Sequence, residues 1–240
     1  MTDRDWTGEL ESYLQDRLAE LCDSIGQRVP LPGLRISPPL ATEEAKYFVL
    51  GFESGLFRLD RESYVQSDLF PAPNEEDLRQ RMCQIFWCDS LPPRLFREGI
   101  CQLSTASLLI LQRGWLRSQV RLEPSIDEQP SITGGADILV KSSTGMSLIA
   151  VEVKRNAAEV HKLVTDLQAC CRRGAHAHGD CGFPQNHPKY EFCATYKPTY
   201  FWAVAPDAEI CFRMNYEAES IAPEQLTSLP PRSMIELEAG

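Results

Sequence analysis

Apolar positions three and four residues apart open the chain. Between Asp5 and Ile25 the residues Trp6, Leu10, Tyr13, Leu14, Leu18, Leu21 and Ile25 share one side of a helical period, and Gly26 can end it. The pattern predicts an amphipathic helix. Proline-rich Val29 to Pro39 reads as a connector. Two short apolar runs, Lys46–Leu50 and Leu56–Leu59, flank Glu53-Ser54-Gly55 and predict a hairpin. After a break at Pro71 to Asn74, Glu75 to Phe86 reads as a helix. Pro92-Pro93 opens another, which runs to Gln112 and stops at Gly114. From Trp115 onward the alternation shortens. Ser118–Leu122, Ala136–Lys141 and Leu148–Val153 read as strands, the last two joined across Ser142-Ser143-Thr144-Gly145. Asn156 to Arg173 is helical again, with Val160, Leu163, Val164 and Leu167 on one face. Gly174 to Pro198 reads as a loop rich in His, Cys and Pro, before strands at Thr199–Val204 and Glu209–Met214. This order implies an α/β core with a central mixed β-sheet flanked by helices, at residues 93–240. An N-terminal helical and hairpin extension of unknown role occupies residues 1–92.

Composition narrows the function classes. Of 240 residues, 43% are hydrophobic and 24% charged, which suits a soluble globular protein. No run of about 18 apolar residues occurs, so no membrane partner is expected. Met1 to Glu11 lacks the basic start and apolar stretch of a signal peptide, and a cytoplasmic location is expected. There the nine cysteines should be reduced, with Cys22, Cys83, Cys88, Cys101 and Cys211 as buried thiols. The net charge of −10 argues against a protein that coats nucleic acid. The charge is uneven, however. Residues 1–100 hold 11 Lys+Arg against 18 Asp+Glu, whereas residues 151–200 hold 7 against 5. The acidic N-terminal half is the candidate surface for a protein partner or a homodimer.

That more basic stretch contains a specific constellation. In a hairpin about Thr144, Asp137 lies nearly opposite Val151 and Glu152. Side chains alternate along a strand, so Glu152 and Lys154 point to one face, while Ile149, Val151 and Val153 point to the other. Two converging carboxylates suit a hard cation such as Mg2+ or Mn2+, and the Val153 carbonyl can add a ligand. Lys154 can position water or stabilise charge on a phosphate.

Asp137 followed by Glu152-Val153-Lys154 resembles the PD-(D/E)xK nuclease superfamily. The resemblance covers residues 94–215 and extends to the element order, with Ala136 in place of the leading Pro. It implies a restriction-endonuclease-like core and a metal-dependent nuclease, with DNA rather than RNA as the substrate. Asp137, Glu152 and Val153 would hold the metal, and Lys154 would act in catalysis. Many members carry a Glu on the preceding helix, for which Glu98 is the match and Glu123 the competitor. Some carry a Gln on the following helix. Gln168 is the candidate, although Arg172 stands where an aromatic residue is expected. The alternatives are a catalytically inactive subunit of the same fold, serving protein interaction or assembly, and a zinc-stabilised interaction module.

The His/Cys-rich stretch carries the second alternative. All four histidines lie between His161 and His187, beside Cys170, Cys171, Cys181 and Cys193. These are zinc-type ligands, but no pair of C-x2-C knuckles occurs, so a structural zinc is not expected. A substrate-contact reading of the same stretch assigns Arg172, Arg173, Lys189 and Lys197 to phosphates and Tyr190, Phe192 and Tyr196 to bases.

Overall fold

The computed structural model describes residues 4–31, 33–60, 63–70, 85–87, 93–124, 135–218 and 220–239. Most of the helix expected over 75–86, and Cys83 and Cys88, lie outside the described residues. The chain forms two compact units: the described residues of Met1–Asp68 and Ala72–Leu111, and those of Leu69–Pro71 and Gln112–Gly240.

In the first unit α1 (Trp6–Ser24) follows the expected period. Leu10, Leu14, Leu18 and Leu21 are buried, and the Asp5 side chain caps the helix by accepting from the Gly8 amide. The hairpin expected over Lys46–Leu59 is corrected. Residues Thr42–Glu53 form helix α2, and the hairpin lies further on, with β1 (Arg58–Leu59) paired to β2 (Val65–Gln66). The run Tyr47-Phe48-Val49-Leu50 has strand-like composition. Burial of Glu44, Ala45, Tyr47, Phe48 and Gly51 at helical spacing decides for helix. Strands β3 (Phe86–Trp87) and β4 (Arg94–Leu95) pair, and α3 (Arg97–Leu111) follows. Gly51 lets α2 approach α3, since a Cβ there would lie 2.2 Å from Ser107 Oγ. A buried ion pair joins the same helices. Arg97 grips Glu44 with both terminal nitrogens and also donates to the Pro38 and Pro39 carbonyls.

The second unit is built on a six-stranded mixed sheet, order β10-β9-β8-β7-β6-β5. Its strands are β5 (Val120–Leu122), β6 (Ile138–Lys141), β7 (Ser147–Val153), β8 (Tyr200–Ala205), β9 (Ala208–Tyr216) and β10 (Ile221–Leu226). Among the described strands of this sheet, only β7 and β8 run parallel. Helices α4 (Ala157–Arg173) and α5 (His187–Tyr196) lie in the connection between them, as a parallel pair requires. Val160, Leu163, Leu167, Cys170, Phe192 and Cys193 pack with Leu139, Ala150, Phe201 and Phe212 as one core. Helix α6 (Arg232–Ala239) buries Ile235 and pairs Glu238 with Arg213. The α/β class with a mixed sheet is therefore as expected. Three elements were not: β10, α6, and α5 inside the stretch read as loop. Helix α5 buries His187, Lys189, Tyr190, Phe192 and Cys193, and so shows no one-sided apolar stripe from which to read it.

Candidate functional site

The chain turns at Gly145 (φ 89°), and β6 and β7 pair with Ile138 opposite Val151. One residue earlier, the Asp137 amide donates to the Val151 carbonyl at 3.0 Å, and the Val153 amide donates to Asp137 Oδ2 at 2.5 Å. Asp137 is thus pinned against the Glu152–Val153 peptide. Glu152 projects from the middle of the sheet, on the face that carries Ala150 and the α4–α5 core.

Glu152 is buried, at 1% exposed. Its Oε1 accepts from Lys154 Nζ at 2.9 Å and from Lys189 Nζ at 3.0 Å. Its Oε2 is buried with no hydrogen-bond partner among the described residues. Lys154 Nζ also donates to the Val153 carbonyl at 2.7 Å, and the Lys154 backbone amide is held by the Val204 carbonyl at 2.8 Å. Burial, and next the Glu152 charge, push the Asp137 carboxyl well above its usual range. Glu123 adds to the rise, while Lys154 and Lys189 pull against it.

Lys189 reaches the site because α5 docks on the sheet. The contact is close at Gly135, where a Cβ would lie 2.6 Å from Phe192 Cδ2. The residue-level pattern offered Lys189 only as a phosphate contact. The structure makes it a second ammonium on Glu152, a placement hidden until α5 forms. Glu123, ranked behind Glu98, is beside Asp137: its amide donates to the Asp137 carbonyl at 2.9 Å, at a residue with φ 48°. Glu98 stands half-buried in the first turn of α3, in the first unit. Gln168 is half-buried on α4 beside the buried Leu167. Tyr190 and Phe192 belong to the core and are not free to stack on bases, whereas Arg172, Arg173 and Lys197 are exposed.

The residues present fit a divalent cation on one ground. A buried carboxylate oxygen with no partner among the described residues is costly, and a hard cation is one ligand that could satisfy it. Among the described residues, Asp137, Glu152 and the Val153 carbonyl offer oxygen atoms here, with the Glu123 carboxylate close enough to act on Asp137. No family model, no curated protein and no solved structure matches this chain.

Proposed function

We propose that the protein is a metal-dependent nuclease of the PD-(D/E)xK type, with a restriction-endonuclease-like core and DNA as its substrate. The observation that carries this reading is Glu152: buried, held by two lysines through one oxygen, without a partner among the described residues at the other, and close enough to Asp137 for the two charges to interact. The strand order adds support, with the Asp137 strand antiparallel to the Glu152 strand and a helical crossover to the parallel β8.

In this reading Asp137, Glu152 and the Val153 carbonyl hold Mg2+ or Mn2+. When bound, such an ion polarises a phosphoryl oxygen and lowers the pKa of coordinated water. The chain's own residues do the rest. Lys154 and Lys189 both aim N–H donors at Glu152 Oε1. A phosphate that enters there meets two ammoniums, which offset charge as it develops on the phosphoryl oxygens. The sheet and α5 bury Glu152 and keep bulk water from its carboxylate. Exposed Arg172 and Arg173 at the end of α4 extend the positive surface for a nucleic-acid backbone.

The test is incubation of the purified chain with supercoiled plasmid and linear duplex DNA, in Mg2+, Mn2+ or EDTA. Cleavage is expected with either metal and not with EDTA, and Asp137→Ala and Glu152→Ala should both abolish it. Cleavage retained by either variant would sink the assignment. The double lysine contact on Glu152 Oε1 favours a second reading, an inactive nuclease-fold subunit for assembly, in which the ammoniums neutralise the carboxylate permanently. No cleavage under any of these conditions would select it.

A further inference from the structure

A second cluster of ligand-type side chains stands where α4 ends and the chain turns toward α5. Cys170 lies in the last turn of α4, and Cys181 follows the short 3-10 turn His178–Asp180. Their sulfurs are 3.5 Å apart. A disulfide needs about 2.05 Å. Two thiolates on one tetrahedral zinc, each about 2.3 Å from the metal, stand about 3.8 Å apart. The observed separation is close to the edge of that tetrahedron. A ring nitrogen of His176 completes the group, and all three ligand atoms lie within 4.8 Å of one another.

The surroundings favour the ligand form of His176 and of Cys181. His176 Nδ1 lies 2.6 Å from the Gly174 carbonyl, which can only accept, so Nδ1 carries the proton. In the neutral ring this leaves the lone pair on Nε2, and Nε2 is buried with no hydrogen-bond partner among the described residues. A metal-binding histidine is commonly held in this way, one nitrogen fixed by a carbonyl and the other bare. Cys181 Sγ accepts from the Phe183 amide at 3.3 Å, a bond that stabilises a thiolate. Cys170 is buried, while Cys181 and His176 are half-buried, so an ion has a path from solvent.

We propose that Cys170, Cys181 and Nε2 of His176 bind one Zn2+, with water in the fourth position. Two soft sulfurs and an imidazole select zinc over the hard cations suited to Asp137 and Glu152. The ion ties the end of α4 to the segment that leads into α5. His187, the first residue of α5, continues this tie: its Nε2 lies 3.1 Å from the His176 carbonyl, and the two rings are in contact. The site is independent of the nuclease reading.

The experiment uses the full chain, purified without chelator or metal-affinity steps. Elemental analysis of this protein should find one zinc per chain. The reduced apoprotein should take up one equivalent against a chromophoric chelator. With Co2+ it should show a sulfur-to-cobalt charge-transfer band and tetrahedral d–d bands. X-ray absorption of the zinc-loaded wild type should report two sulfur neighbours at about 2.3 Å and two nitrogen or oxygen neighbours at about 2.0 Å. Cys170→Ser, Cys181→Ser and His176→Gln should each lose stoichiometric zinc while circular dichroism stays native-like. Three results overturn the proposal. One is a reduced wild-type chain that cannot hold zinc against the chelator. Another is a sulfur count other than two. The third is a chain two hydrogens lighter, with Cys170 crosslinked to Cys181, that binds no zinc after reduction. The measurements on wild type decide the matter even where a variant fails to fold.

Discussion

Removing one of the two lysines on Glu152 tests the electrostatics of the site without any substrate. Lys154 Nζ and Lys189 Nζ lie 2.9 and 3.0 Å from the same oxygen. At an effective dielectric constant of about 20, each contact is worth about 5.5 kcal/mol of attraction. The two ammoniums can be no farther apart than about 5.9 Å, the sum of those two contacts. They therefore repel each other by about 2.8 kcal/mol or more. Loss of Lys189 gives up the attraction and recovers the repulsion, a net cost of about 2.7 kcal/mol at most before the burial cost of the ammonium is returned. Lys189→Met, which keeps the aliphatic stem, should thus destabilise the protein by about 2 kcal/mol at pH 7. Lys154→Met should cost a similar amount. Because each single variant recovers the same repulsion, the double variant should lose about 2.8 kcal/mol more than the sum of the singles. Urea denaturation of all four members of the cycle measures this. Additivity within about 0.5 kcal/mol, or wild-type stability of Lys189→Met, would refute the shared-oxygen geometry.

Three further outcomes are expected. The raised pKa of Asp137 means that the folded state keeps a proton which the unfolded chain releases near pH 4, so stability falls as pH rises from there through the folded-state pKa. Asp137→Asn can still accept from the Val153 amide and should be more stable than wild type above that window, with a flatter pH profile. A denaturation series from pH 4 to 8 that matches wild type would count against it. In the first unit, Glu44→Ala leaves the Arg97 guanidinium, 3% exposed, without its carboxylate and should cost about 3–5 kcal/mol in urea denaturation. A loss below about 1 kcal/mol would show the pair to be solvated. For cleavage, Lys154→Ala should slow single-turnover cutting of a short duplex by about 10²- to 10⁴-fold while calorimetric metal affinity stays near wild type. Lys154→Arg should also be slow, because a planar fork cannot replace a compact ammonium. A wild-type rate in Lys154→Ala would make that residue structural only.

How much was legible in the chain depended on the range of the signal. Helices α1 and α4 and strands β5 to β9 were readable because each buries one face or lies in a short apolar run between turn residues, and both patterns are local. The alternation of Glu152 and Lys154, and the hairpin that brings Asp137 to the Val151–Val153 strand, also follow from local geometry. Helix α2 was misread because aromatic and β-branched residues suit a strand equally well, and only packing against α3 decides between them. Helix α5 left no period because it is buried on several sides, so neither it nor Lys189 could be placed at Glu152 from the sequence. Cys170 and Cys181 are not in knuckle spacing, and their sulfurs meet only because the chain folds back after α4. Motif, alternation and helical period belong to neighbours along the chain, and the sequence by itself determined them. The burial of Glu152, the second lysine and the sulfur pair depend on contacts between distant residues, and only the tertiary structure decided these.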